Sequence, residues 1–271
     1  MTPADLQVVQ GWAADEGWNP GRDDAGFFMI PDPAGLMVVT DDAGDVIGSI
    51  GMPRFGDDFA FAGLYIVRPD HRGGQTGARL ARAALAHAGD RMVGTDGVLE
   101  RVAAYEGLGF TAVHSHHRHS GCPDGAEHPQ VRPPTAADMS ALVDIDDVCF
   151  PGERRAFMAA WLGDPHVSRA WIADDGVPAG FGVARQAVDG WRIGPLLAPD
   201  AVAAGAIVQS LAAAIPGDVL HLDVNTGNRE AADLARDLGM APGFECVRMY
   251  RGGIPDLPIR RMWGCCTLEL G

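Results

Sequence analysis

The chain has 271 residues, 47% of them apolar, and a formal net charge of −15 with no lysine. That length suits one large domain or two of about 130 residues, with apolar material for a core. The acidic balance lacks the basic footprint that nucleic acid requires, and without lysine there is no Schiff-base chemistry.

In chain order, Thr2-Pro3-Ala4-Asp5 reads as a capped helix start, continued by Leu6, Val9 and Trp12. Met1 to Leu6 has neither a basic region nor an apolar signal core, and no run approaches the ~18 apolar residues of a membrane helix. A cytoplasmic protein is expected. Gly17-Trp18-Asn19-Pro20-Gly21 is a turn, and a short helix is expected over Asp23 to Phe28. Leu36–Thr40 and Val46–Met52 read as strands of a hairpin turned at Asp41-Asp42-Ala43-Gly44.

The strand over Phe59–Val67 is stopped by Pro69. A loop built on Arg72, Gly73, Gly74 and Gly77 follows, and then Leu80, Ala81, Ala84 and Leu85 recur at helical spacing. Strand, glycine loop, helix is a phosphate cradle: free N–H groups and the positive end of a helix dipole meet at one spot. Arg72 adds a charged donor. The P-loop pattern G-x-x-x-x-G-K-S/T is excluded by the missing lysine, and G-x-G-x-x-G is not supplied by Gly73-Gly74-Gln75-Thr76-Gly77. A short strand near Arg91–Gly94, a helix carrying Tyr105 and a strand over Phe110–His119 complete the unit.

Ser120 to Pro129 is rich in turn formers and reads as a linker, after which the pattern restarts. Helices are expected over Ala136–Asp146, Glu153–Leu162, Asp200–Ala214 and Asn228–Leu238. Strands are expected over Ser168–Ile172, Pro178–Arg185, Trp191–Leu197, Val219–Val224 and through Cys246 to Tyr250. Residues 1–120 are read as one domain, 121–130 as linker and 131–271 as a second domain.

Cys122, Cys149, Cys246, Cys265 and Cys266 show no C-x-x-C spacing, and free thiols are expected. The run His114-Ser115-His116-His117-Arg118-His119 is read as a solvated strand. No metal is expected.

The stretch Val67, Pro69, Arg72, Gly73, Gly77 and Leu80 resembles the acyl-CoA pyrophosphate loop of the GNAT superfamily of N-acyltransferases, V-x-P-x-x-R-G-x-G-x-G-x-x-L. Gln75 stands in place of the central glycine and Thr76 in place of the following aliphatic. Tyr105 to Phe110 resembles the segment Y-x-x-x-G-F, with Val98 where an asparagine often stands. In the second half Asn228 and Gly239-Met240 fall in register, but Ala235 replaces the tyrosine and Ala198-Pro199-Asp200 replaces the glycine loop. Glu16 to Gly21 with Asp24, and later Gly194-Pro195-Leu196, Asp223-Val224-Asn225 and Arg248-Met249-Tyr250, resemble bacterial tandem GNAT proteins across nearly the whole chain.

The resemblance implies an α/β fold: two tandem units, each a mixed, mostly antiparallel sheet flanked by helices. It implies direct transfer of an acetyl group from acetyl-CoA to a primary amine of a small molecule or peptide, from one working site in the first unit beside a degenerate second. Ile66 and Val67 would hold the pantetheine arm through their backbone, Arg72, Gly73, Gly74, Gln75, Thr76 and Gly77 the pyrophosphate, and an N–H near Val67 the thioester oxygen. Tyr105 inherits the role of acid for the departing thiolate. Glu16, Asp24 and Asp96 are the carboxylates considered as general base. Trp18, Asn19 and Asp24 are read at the acceptor side, and Asp223 and Asn225 either bind acceptor or fix a turn. An amine resembling lysine is neutral in only about one molecule in ~10³ at pH 7, so a base is needed. The alternative reading is a non-catalytic acyl-CoA-binding or regulatory protein of the same fold. A nucleic-acid or membrane partner is not expected, and homodimerisation is left open.

Overall fold

The computed structural model describes residues 1–271. The first half carries α1 (Pro3–Asp15), α2 (Asp24–Phe28), β1 (Leu36–Thr40), β2 (Val46–Gly51), the two-residue β3 (Arg54–Phe55), β4 (Phe59–Val67), α3 (Thr76–Ala88), β5 (Met92–Val98), α4 (Val102–Gly107) and β6 (Thr111–Gly121). The second half carries β7 (Val131–Arg132), α5 (Met139–Cys149), α6 (Arg155–Trp161), β8 (Val167–Ile172), β9 (Pro178–Gln186), β10 (Trp191–Leu197), α7 (Ala201–Ala214), β11 (Leu220–Asn225), α8 (Arg229–Asp237), β12 (Ala241–Arg251) and a last short strand, β13 (Met262–Gly264).

The local signals act as their chemistry dictates. Thr2 caps α1 through a reciprocal box with Asp5. Gly109 and Gly239 take φ of 86° and 74° where α4 and α8 give way to β6 and β12.

The strands form one continuous, mostly antiparallel sheet ordered β1-β2-β4-β5-β12-β6-β11-β13-β10-β9-β8-β7, with β3 alongside β4. Two strands near its centre are exchanged. β12, from the second half, lies between β5 and β6, and β6, from the first, lies between β11 and β12. The division at the linker is therefore a division of sequence, and each half completes its sheet with a strand of the other.

Two buried ion pairs pin this exchange. Arg248 on β12 faces Asp96 on β5, donating from Nε and Nη2 at 2.8 and 2.8 Å. Arg118 on β6 faces Asp223 on β11, donating from Nε and Nη2 at 2.8 and 3.1 Å. His116 and Cys246 are direct cross-strand partners at the centre of the arrangement.

One apolar core serves both halves. Leu6, Val9 and Phe28 of α1 and α2 share it with Leu142, Phe157 and Trp161 of α5 and α6 and with Phe59 and Phe61 of β4. Separate clusters lie under α3 (Leu80, Ala84, Val93, Phe110) and around α7 (Ile207, Leu211, Leu222, Trp263). The expected solvated histidine strand is corrected here. β6 is central, so His116 and His119 are buried, and burial, then the neighbouring His116 and Arg248, push the His114 imidazole down to about 3.

Candidate functional site

β4 and β5 run parallel from Phe59 to Ala62, facing Met92 to Thr95, and then part. The parting coincides with an irregularity between β2 and β4, where Leu64 adopts a φ of 51°. Beyond it β4 stays bonded to β2 but is open toward β5. Arg68 N–H bonds Ile47 O at 3.0 Å. The alternation of an antiparallel ladder then turns the backbone of Ile66 toward Ser49 on β2 and that of Val67 into the opening. This corrects the expectation for Ile66, whose backbone is spent within the sheet, and it suits the Val67 N–H as a donor toward a ligand.

The opening is a cavity of about 370 Å³. The glycine loop closes one end. Gly73 holds φ at 80°, a left-handed conformation that a Cβ would penalise. A Cβ at Gly77 would stand 2.6 Å from the Tyr65 hydroxyl. Gln75 precedes α3 without capping it, and the first α-helical bond runs from Arg79 N–H to Gln75 O. The N–H groups from Gly73 to Ala78 consequently have no acceptor within the chain. Arg72 donates from Nε to Val67 O at 2.7 Å and from Nη2 to Glu16. Gly73, Gly74 and Gly77 line the cavity, whereas Gln75 and Thr76 contribute only their place at the helix start.

The corresponding place in the second half is shut twice over. β10 and β11 also run parallel and then part, but β13 fills the gap, pairing with both. Trp263 of β13 is 1% exposed and donates to Ala198 O at 3.1 Å. The start of α7 is capped by Asp200, whose carboxylate takes the Ala203 N–H at 2.9 Å. A carboxylate of the protein thus occupies the position where α3 leaves its N–H groups free.

The structure brings Glu16, Trp18, Asp96 and Tyr105 to the cavity beside the loop. Tyr105 packs edge-on to Phe110 and lies over Gly97, and burial raises its hydroxyl pKa, so it stays protonated. The Asp96 side chain is fully buried. Burial alone would raise its pKa, but Arg248 and then His116, whose Nδ1 is 3.0 Å away, outweigh that and hold it well below the usual carboxylate range. A carboxylate committed in this way is a poor proton acceptor at neutral pH, and its work is to hold β12. Asp96, His116 and Cys246 also cluster as metal donors do, but both Asp96 oxygens already receive Arg248, and burial holds the Cys246 thiol protonated. The set does not fit a cation.

The other expected acceptor ligands lie outside the cavity. Asn19 exchanges two hydrogen bonds with the backbone of Asp189, each of 2.8 Å. Asp24 accepts from Gly21 N–H at 2.9 Å and faces Arg185 at 3.0 Å. Asn225 fixes a turn through Gly227 N–H at 2.9 Å. Asp223 is bound by Arg118 and by Arg192, the latter at 2.7 Å. The contacts of Asn19 with Asp189, Asp24 with Arg185 and Asp223 with Arg118 staple the halves together. In their place the cavity receives Phe244, Cys246, Leu268 and Glu269, all from the second half. Cys246 is readable as the counterpart of His116 once the halves are aligned. Leu268 and Glu269 follow the last repeating element, so no pattern announces them.

Residues 6–110 match the model described as Acetyltransferase (GNAT) family, and residues 142–264 match another described as Acetyltransferase (GNAT) domain. The chain is 28% identical over 283 residues to the holothin acyltransferase of Pseudoalteromonas sp. (strain SANK 73390), covering 99% of this chain and 93% of that protein. Among solved structures, an acetyltransferase-assigned protein from Pyrococcus horikoshii superposes with a TM-score of 0.81 at 17% identity, over 100% of this chain and 94% of the other. A tandem GNAT protein from the clavulanic acid biosynthesis pathway superposes with a TM-score of 0.60 at 14% identity, over 94% and 98%.

Proposed function

Since this chain is a tandem member of the GNAT acyltransferase superfamily, we propose that its first half is the working unit and acetylates a primary amine of a small molecule or peptide with acetyl-CoA. The observation that carries this reading is the run of unpartnered N–H groups from Gly73 to Ala78 at the mouth of an open, parted strand pair. Its counterpart in the second half is capped by Asp200 and filled by β13. One acyl-CoA site per chain follows.

In this reading the pyrophosphate lies on the Gly73–Ala78 amides, with Arg72 released from Glu16 to meet it. Val67 N–H donates to the thioester oxygen, where one such donor contributes ~10²–10³ in rate. The amine attacks the carbonyl carbon, the C–S bond breaks, and the thiolate takes a proton from Tyr105, a step for which general acid catalysis supplies ~10²–10⁴. Glu16 lies at the pyrophosphate end, paired with Arg72, and Asp96 is tied to Arg248, so neither is placed for the amine's proton. Trp18 forms a wall of the acceptor side.

The test is acetyl-CoA binding by calorimetry, followed by thiol release across an amine panel. Transfer that falls ~10²-fold or more in Tyr105→Phe, and acetyl-CoA affinity that falls in Arg72→Ala, would support the proposal. Binding without transfer across a broad panel would favour the non-catalytic acyl-CoA-binding reading, and no binding would end both.

A further inference from the structure

The C-terminal tail does more than fill the second half. After β13 the chain crosses toward β4 and turns at Thr267, whose hydroxyl accepts from Glu269 N–H at 3.2 Å and Leu270 N–H at 2.8 Å. Gly271 N–H closes the turn on Thr267 O at 3.0 Å, and Arg185 holds Cys266 O at 3.2 Å. The backbone carbonyl of Glu269 abuts Gly63, a contact that any Cβ at Gly63 would break. Glu269 is thereby set against the parting point of β4 and is one of the cavity's lining residues.

Its carboxylate is 3% exposed and only half satisfied. Oε1 accepts from Arg192 Nη1 at 3.2 Å, while Oε2 is buried with no partner. An oxygen left this way is costly, more so when charged, and such a group on a cavity's lining residue points to a ligand. Arg192 is shared with Asp223, which Arg118 also holds, so Oε2 of Glu269 is the one carboxylate oxygen of this group left without a donor.

Resting on the acyltransfer reading above, we infer that the acceptor enters as an ammonium ion and that Glu269, delivered by the second half, receives it through Oε2. The ammonium gives one proton to Oε2, the free amine attacks the thioester carbon, and the C–S bond breaks as the C–N bond forms. The thiolate takes its proton from Tyr105, the second amine proton restores Tyr105, and the first leaves Glu269 for solvent as product departs. The acceptor class is a primary alkylamine small enough to share the cavity with the acyl end of CoA.

The experiment uses the whole chain. Glu269→Gln should lower kcat/KM for an alkylamine by ~10² or more while the acetyl-CoA dissociation constant stays within about twofold. Glu269→Asp should retain part of the activity. On the unaltered protein saturated with acetyl-CoA, a primary alkylammonium should raise the thermal midpoint and an alcohol of the same carbon skeleton should not. Equal rates for Glu269→Gln and the parent, or equal shifts from amine and alcohol, would overturn the inference, and if Glu269→Gln does not fold, the amine–alcohol comparison and Glu269→Asp decide it. Failure of acetyl-CoA to bind the parent protein would instead strike the acyltransfer reading beneath it.

Discussion

Replacing Asp96 separates a structural carboxylate from a catalytic one. Asp96→Asn keeps the side-chain shape but leaves Arg248, itself 3% exposed, without its counter-charge. Breaking a buried pair by removing one partner costs ~3–5 kcal/mol, against a total stability of about 5–15 kcal/mol for a typical protein. Arg248 keeps the amide oxygen, a 3.5 Å contact to the Tyr250 hydroxyl and the Phe61 ring 5.0 Å away, none of which supplies a counter-charge. At about 2–4 °C per kcal/mol for chains near this size, the thermal midpoint should drop by roughly 6–20 °C. The double variant Asp96→Leu with Arg248→Met should recover much of this, because apolar replacement of a buried pair is often neutral or stabilising. Thermal and urea unfolding followed by circular dichroism measure both, alongside acetyl-transfer rates at a temperature where every variant is folded. A midpoint unchanged in Asp96→Asn, together with a rate lost by ~10² or more, would refute the assignment and restore Asp96 as the base.

Gly73→Ala forces a left-handed Cβ worth ~1–2 kcal/mol and should weaken acetyl-CoA binding about tenfold by calorimetry, with the fold intact. Trp263→Ala removes the wedge from the second half and should destabilise by ~3–5 kcal/mol, read by urea unfolding, without creating a second acetyl-CoA equivalent in titration. For His114 the folded pKa, about 3, lies below the unfolded value near 6.5. The unfolded chain therefore binds the extra proton between these limits. This contribution is fully present above pH 6.5 and falls by up to ~1.4 kcal/mol per unit as the pH drops toward 3. His114→Phe should flatten the slope of unfolding free energy over that window.

The elements were legible because their signals are local. Pro69, Gly73, Gly109 and Gly239 each impose one backbone choice, and the apolar spacing of Leu80, Ala81, Ala84 and Leu85 marks the inward side of α3, where Leu80 and Ala84 are buried. The loop and Tyr105 were legible because a close approach to phosphate and a helix-ending glycine demand particular residue types. Strand exchange was not: β6 and β12 satisfy the same pleat whichever partner they take, and the choice rests on Arg118, Asp223, Arg248 and Asp96 meeting across sequence separations of 105 and 152 residues. Asp96 and Asp223 look alike in sequence whether they serve a substrate or a guanidinium. The tail was silent because Leu268 and Glu269 belong to no repeat, and only the folded path brings them to β4.

The crossed pairing of β6 with β12 gives the chain the geometry of an isologous dimer, in which one surface patch meets its own copy about a two-fold axis. Here the copies are joined end to end and have drifted apart, with His116 opposite Cys246 where symmetry would set like against like. A fused pair needs no second chain to cover its central strands, and it is free to spend one of its two equivalent clefts. That cleft houses β13, and the segment anchored there carries on to the wall of the other.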